Sequence, residues 1–588
     1  MAASPVDPSN AAPEGAQGLP AQAARLGGSL LGLVFREDRF FLVLSVFIGI
    51  FSGLAVVCFR YAIDWCHIYM LGSGAEPSHL RLILAPTLAG LVIAVLVKHV
   101  FPAAKGSGVN QTKAAVFIYN GYIPLRTAVG KFITSALAIG AGHSLGPEDP
   151  SLQIGASLSS ALGRWLHLSR ERMRLIAPVG AAAGLAAAFN APISAILFVI
   201  EEVIGRWTAG ILGSVVLSAI SSVVVMRWFL GSESLFRIPV VEMRRPSELI
   251  AYVILGIVGG LASVVMVFGI AQLRPRCKSL PEWTQYFQPA VAGLVIGCIA
   301  MLGAPQVMGA GYVYMDEAIH GQFTWQFLAI LALCKIVATL ASFISGTPGG
   351  MFAPTLFIGA MFGAAVGGAE HALLPQLSWS PGTYALVGMG VLFAGFLRAP
   401  MTSVFMVLEV SGNYSIILPV IVANTFSYVI SRAIYPTAVF DMLTRQDGLE
   451  LPSMEEQREE SILRVEDAML PAPAPILDSE QPHEWATEMN QPKLPDVLLV
   501  RLHPTGWSSV TRKEIEAIIQ ETEPDSFNLE SLLADRMIPC LHPDQPLDMA
   551  LRYVDRWPIV PVVSRADQGK IEGVVTQEGV LERYRSFV

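Results

Sequence analysis

Charge is scarce in this chain: only 15% of its 588 residues are charged while 53% are hydrophobic, a balance that excludes an ordinary soluble enzyme. Cysteine is sparse as well. The six cysteines are scattered, mostly through apolar runs, and none forms a CxxC pair, which excludes a disulfide scaffold or a thiolate metal centre and leaves buried thiols. The ten histidines form no ligand cluster, so no metal is expected. Residues 1–35 lack the positively charged start and apolar core of a signal peptide; their Ala, Pro, Gly and Ser content marks a disordered tail. The net charge of −8 hides a division between an apolar body and a charged tail and so says little about partners; no nucleic acid is expected.

Long apolar runs are present instead. Phe40 to Val57, Leu82 to Val97, Ile250 to Gln272 and Phe327 to Ile344 approach or exceed the roughly 20 residues that span a bilayer. Other runs are broken by Gly and Pro, as around Gly180 to Pro192, in the manner of transporters whose non-helical backbone lines a cavity at membrane depth. Arg36 and Arg39 precede the first run, which places the N-terminus in the cytoplasm.

The chain repeats itself. Gly106-Ser107-Gly108-Val109 matches Gly309-Ala310-Gly311-Tyr312, and Gly146 matches Gly350 at nearly the same spacing. Asn190-Ala191-Pro192 leading to Glu201 matches Arg398-Ala399-Pro400 leading to Glu409. Three landmarks in one order indicate a duplicated unit from about residue 100 to 412. Matched Gly/Pro breaks point to a substrate site where the halves meet near the bilayer midplane.

The centre of that pattern is Gly142-His143-Ser144-Leu145-Gly146-Pro147-Glu148-Asp149-Pro150, two carboxylates between two prolines. Pro147 interrupts a helix, and the backbone is suited to begin a new one at Pro150. The free N–H groups of such a helix end carry partial positive charge and bind an anion, either a side-chain carboxylate or an ion from solution. Glu148 and a mobile anion therefore compete for it. The same stretch also fits G-x-S-x-G, the hydrolase elbow, which makes an intramembrane serine hydrolase using Ser144 the rival of another class. That motif needs a strand before it, whereas Lys131 to Ala141 reads as helix.

After Arg445 the composition becomes acidic and Pro-rich, with no further spans. Val465-Glu466-Asp467-Ala468-Met469 leading to Gly506 through Arg512 parallels Leu533-Ala534-Asp535-Arg536-Met537 leading to Pro558 through Thr576, each with helix-like, then β-type, then capping residues. This resembles a pair of CBS domains, a regulatory module. In that family a carboxylate three residues after the Thr often holds a nucleotide ribose; here the first copy has Glu514 and the second Gly579. An adenine nucleotide at the pair and a purely structural or dimer-stabilising role both stay open, and no other cofactor is expected.

The membrane part, on Gly106-Ser107-Gly108, Gly146 to Pro150, Ala181 through Pro192, Glu201-Glu202 and Gly350-Met351-Phe352-Ala353-Pro354, resembles the CLC chloride channels and chloride/proton antiporters. The resemblance implies a mainly α polytopic protein with an inverted repeat (about 40–230 and 247–445) inside a 36–445 membrane domain. A 446–460 linker and a small α/β CBS-pair domain over 461–588 follow. It also implies a homodimer in the lipid bilayer, at the cell (inner) membrane, with both termini cytoplasmic and chloride and protons as substrates. Carried onto this sequence, Ser107, Gly146, Glu148, the N–H groups of Met351 and Phe352, and Phe440 surround the anion. Glu148 is the gate, and Glu148 and Glu202 transfer protons. Glu201 reads as a helix-end charge.

The chain departs from the family pattern in three places. Val109-Asn110-Gln111 follows Gly108 where Ile-Pro-Glu is usual, Asp149 replaces a Gly beside the gate, and Phe440 stands where a Tyr hydroxyl completes the central site. Loss of that hydroxyl implies weaker central chloride binding. Glu202 favours antiport over a passive voltage- or pH-gated chloride channel. Ser107 favours chloride over fluoride or nitrate.

Overall fold

The computed structural model describes residues 37–588 except 73–77, 206–208, 233–235, 237–247, 374–379, 450, 452–462, 480–484, 486–494, 503–505, 516–535, 568 and 588. The expected 1–35 tail and most of the 446–460 linker lie outside the described residues. The chain divides into two compact units, Met1–Ser453 and Met454–Val588.

The first unit is helical. Its first half comprises α1 (Glu37–Met70), α2 (His79–Val95), α3 (Gly108–Phe117), α4 (Leu125–Gly140), α5 (Glu148–Trp165), α6 (Arg170–Phe189), α7 (Pro192–Phe198) and α8 (Ala209–Leu230). Its second half runs α9 (Glu248–Lys278), α10 (Gln288–Met301), α11 (Tyr312–Ile319), α12 (Trp325–Ile344), α13 (Phe352–Leu373), α14 (Pro381–Leu397), α15 (Pro400–Ser411) and α16 (Ile417–Ile434); α17 (Val439–Gln446) closes the unit. Among the described residues eight helices are long and apolar enough to cross a membrane. Large apolar side chains such as Phe47, Phe51, Leu88, Val265 and Leu333 face outward on them, as a lipid solvent permits.

The two halves match helix for helix, and the match extends to single contacts. Asn190 and Arg398 both end their helices in the left-handed region, at φ 56° and 61°. They break α6 and α14 before the prolines that open α7 and α15, so α6 is continuous through Gly180 and the break falls at Asn190. Glu201 accepts the N–H groups of Met401 (3.3 Å) and Thr402 (2.9 Å) at the start of α15. Glu409 returns the favour, accepting those of Ile193 (2.9 Å) and Ser194 (2.8 Å) at the start of α7. Lys131 donates to the carbonyls of Ala104 (3.1 Å) and Gly106 (2.5 Å), and Lys335 to those of Val307 (2.8 Å) and Gly309 (2.7 Å). Each buried ammonium thus ties down the loop before α3 or α11. Helix pairs approach backbone to backbone: a Cβ on Gly155 would strike the Gly180 carbonyl, and one on Gly359 the Gly388 carbonyl. Small residues permit such contact where hydrophobicity gives no drive for helices to associate.

The second unit holds two small sheets. In one, β1 (Leu477–Asp478) pairs parallel with β2 (Val497–Leu502), which pairs antiparallel with β3 (Gly506–Thr511). In the other, β4 (Ile559–Val563) and β5 (Ile571–Thr576) are antiparallel, flanked by α18 (Asp548–Val554) and α19 (Gln577–Phe587). Leu470 bridges Val574 of β5, and Met537 bridges Ser508 of β3. Thr576 Oγ1 accepts the Gly579 N–H at 3.1 Å and so caps α19. Glu514 is already engaged, accepting from the Thr511 N–H (2.9 Å) and hydroxyl (2.8 Å) and from Arg536 (2.9 Å), contacts that lower its carboxyl below the usual carboxylate range.

Removing a carboxylate cap leaves buried helix N–H groups unpaired at about 1–3 kcal/mol. Glu201→Ala, at the more buried cap, should lower the thermal unfolding temperature in detergent more than Glu409→Ala; equal stability of Glu201→Ala and parent would contradict the capping role.

Candidate functional site

The site lies where the halves touch. Gly146 and Gly350 form a reciprocal antiparallel bridge, Gly146 N–H to Gly350 carbonyl at 2.8 Å and the converse at 2.9 Å. Neighbouring residues start α5 and α13, so two helix N-termini, with their partial positive charge, come together at membrane depth. Helix α5 begins at Glu148, two residues before Pro150, which sits in the first turn where its missing N–H is not needed.

Glu148 is fully buried. Its Oε2 accepts the Ala353 N–H of α13 at 3.3 Å, and the Tyr312 hydroxyl at the start of α11 donates to Oε1. Gly146 makes this possible: a Cβ there would collide with Glu148 Oε2. The carboxylate from one half therefore occupies the helix end of the other. Met351 and Phe352 flank this point, but the donor to the carboxylate is Ala353, one residue beyond them.

Phe352 and Phe440 form the apolar wall. Their ring centroids are 6.3 Å apart, and the Phe198 ring is 5.0 Å from Phe352 and 6.2 Å from Phe440. Phe189 and Phe393 complete the cluster around Phe352 at 6.0 and 5.7 Å. Asn110, on α3, donates to the Phe440 carbonyl at 3.1 Å, tying α17 to the helix that Ser107 precedes. Ser107 is 4% exposed, and its hydroxyl makes no well-formed hydrogen bond among the described residues. The contacts Asn110–Phe440, Phe440–Phe352 and Ala353–Glu148 link the helix that Ser107 precedes to the segments carrying Phe440, Phe352 and Glu148.

Glu202, the expected proton-transfer acid, is buried and belongs to an ion-pair cluster. It lies in a π-helical turn, Val199–Ile204, that continues α7, and its Oε1 is 2.8 Å from the Lys113 ammonium. Lys113 also pairs with Asp441 at 3.0 Å, directly after Phe440. The cluster thus joins α3, the π turn and α17 beside the anion locus. Glu201 is the helix cap described above. Ser144 is no nucleophile: its hydroxyl shares a 2.9 Å hydrogen bond with Thr339, while His143 Nε2 lies 3.1 Å from the Pro86 carbonyl, and no strand precedes the turn.

Sequence reasoning missed Lys113, Tyr312, Lys131 and Lys335. Only the last two carried a signal, as single lysines inside apolar helices at matching places in the repeat.

A two-fold repeat of membrane helices whose central helix ends enclose a buried acid defines an anion-transport architecture. Known proteins agree. Residues 89–432 match the family described as voltage gated chloride channel. A ClcB-like protein of Ralstonia nicotianae is 32% identical over 70% of this chain and 99% of its own length. An H(+)/Cl(-) exchange transporter ClcA of Salmonella arizonae is 31% identical over 72% of this chain and 93% of that protein. Among solved structures, a slow cyanobacterial Cl-/H+ antiporter superposes with a TM-score of 0.65 at 25% identity, covering 69% of this chain and 97% of that one. A eukaryotic CLC transporter shares the fold with a TM-score of 0.60 at 18% identity over 92% of this chain and 97% of its own, a share that includes the C-terminal unit. This chain belongs to the voltage gated chloride channel (CLC) family. It is an integral membrane protein of CLC-type chloride transport.

Breaking a buried ion pair by removing one partner costs about 3–5 kcal/mol, because a charge is left uncompensated. Lys113→Met should therefore destabilise the protein strongly in thermal unfolding, and adding Glu202→Gln with Asp441→Asn should restore most of the loss. A single variant as stable as the parent would contradict a charged cluster.

Proposed function

We propose that this protein is a chloride/proton antiporter in which Glu148 is both the gate of the anion path and a proton carrier. The observation that carries the reading is the Glu148 carboxylate seated on the α13 helix end through the Ala353 N–H. A carboxylate there stands in for the transported anion: when it is protonated or displaced, chloride takes its place, so anion movement and proton movement share one seat. Dipoles and hydroxyls suit this work because they hold an anion without a full positive charge that would trap it. Ser107, the Met351, Phe352 and Ala353 N–H groups and the aromatic wall of Phe352 and Phe440 would line that seat, with Gly146 leaving room for it.

Glu202 is the internal proton-transfer acid in this reading, held in position by Lys113. An ionisable residue at membrane depth is by default part of a substrate or proton path. The exchange transporter and antiporter named among the relatives support antiport over the passive channel. The same reading includes a homodimer in the cell (inner) membrane with cytoplasmic termini. It takes the C-terminal unit as a CBS pair in which Glu514, engaged by Thr511 and Arg536, favours a structural role over nucleotide binding.

In proteoliposomes, Glu148→Gln should abolish proton pumping driven by a chloride gradient while chloride flux persists; a variant that still moves protons uphill would contradict the gate assignment. Tyr312→Phe should raise chloride flux by about tenfold, since a hydrogen bond to a charged group contributes about 1.5–3 kcal/mol to holding the carboxylate in its seat. Unchanged or slower flux would show that Tyr312 does not restrain the gate.

A further inference from the structure

Asp149 stands one residue beyond the gate and is 2% exposed. It serves a different helix end. Its Oδ1 accepts the Val109 N–H of α3 at 2.9 Å, and the Ser107 hydroxyl and Gly108 N–H lie beside the same carboxylate. The approach leaves no slack, because a Cβ on Gly108 would come within 2.7 Å of Asp149 Oδ1. Helix α3 thus begins on an anion that the chain itself supplies, where a free helix end would otherwise attract one from solution. The Lys131 ammonium faces this carboxylate, and Glu148 is the other acid close to it.

The Ser107 hydroxyl supplies a second, independent observation. It is buried at the same point and makes no well-formed hydrogen bond among the described residues, a condition that native structures rarely keep unless a ligand completes it. The two consecutive acids therefore divide the work: Glu148 sits on the α13 end, Asp149 on the α3 end, and the unpartnered hydroxyl lies beside the second.

We propose that Asp149 is a second tethered anion, which competes with the transported anion for the Gly108 and Val109 N–H groups beside the unpartnered Ser107 hydroxyl and so lowers anion affinity at that part of the path. The proposal rests on the reading of Ser107 as an anion ligand. Its chemistry is exchange of one anion for another: chloride arriving at Ser107 displaces or repels the carboxylate, and the carboxylate returns when chloride leaves. Selection then acts against weakly held anions, since only an ion that outcompetes a carboxylate already in contact with the helix end stays bound.

The test is isothermal titration of chloride into the purified full-length protein in detergent, for the parent, Asp149→Asn and Asp149→Ala. A like charge beside the site weakens anion binding, so loss of the charge should tighten chloride binding by about tenfold in Asp149→Ala and by a smaller factor in Asp149→Asn, which keeps an acceptor oxygen. Adding Ser107→Ala to Asp149→Asn should erase the gain. Asp149→Asn preserves the shape of the parent side chain and decides the matter if Asp149→Ala fails to fold. Chloride affinity equal to or weaker than the parent's in a folded Asp149→Asn protein would overturn the proposal. Glu148→Gln, titrated and assayed for proton movement alongside, separates the two readings: if it loses proton coupling while the Asp149 variants bind like the parent, only the Asp149 role falls.

Discussion

The structure depends on two helix N-termini, one from each half, brought together across the Gly146–Gly350 bridge inside the membrane. Converging partial positive charges in a low-dielectric interior repel each other unless an anion lies between them. The chain meets that requirement with its own acids, and the same requirement makes the place attractive to a mobile halide. Around it the sequence supplies only what close approach needs: glycines where backbones touch, a proline where a helix N–H is unnecessary, and phenylalanines that exclude water.

Two-fold repetition explains why the arrangement is stable as well as reactive. Glu201 and Glu409 cap each other's halves, and Lys131 and Lys335 each hold the loop that precedes a short helix. These buried charges are spent on backbone groups that lipid cannot satisfy. They are scaffolding, and they leave Glu148, Asp149, Glu202, Asp441 and Lys113 as buried ionisable groups around the proposed anion site. Lys113 makes Glu202 part of a three-member cluster with Asp441, an ion-pair network that reaches the segment directly after Phe440.

Much of this was legible in the residues. The repeat was visible because Gly and Pro mark backbone geometry directly, and the Glu148 helix end was visible because two prolines bracket it. The landmarks Asn190 and Arg398 aligned in the sequence, although their shared left-handed conformation was not apparent from two such different side chains. Glu202 was found, but its partner was not: Lys113 lies 89 positions away on another helix, and no local pattern announces an ion pair across that distance. Tyr312 was passed over for the same reason. The direction of Asp149 was open in the sequence because a residue in the first turn of a helix can face either side, and only the position of α3 decides it.

The most direct measurement of the central claim is anomalous diffraction from crystals of Glu148→Ala protein soaked in bromide. The account predicts a bromide peak beside the Ala353 N–H, where the Glu148 carboxylate lies in the parent. Bromide bound elsewhere, with that position filled only by protein or water, would contradict it.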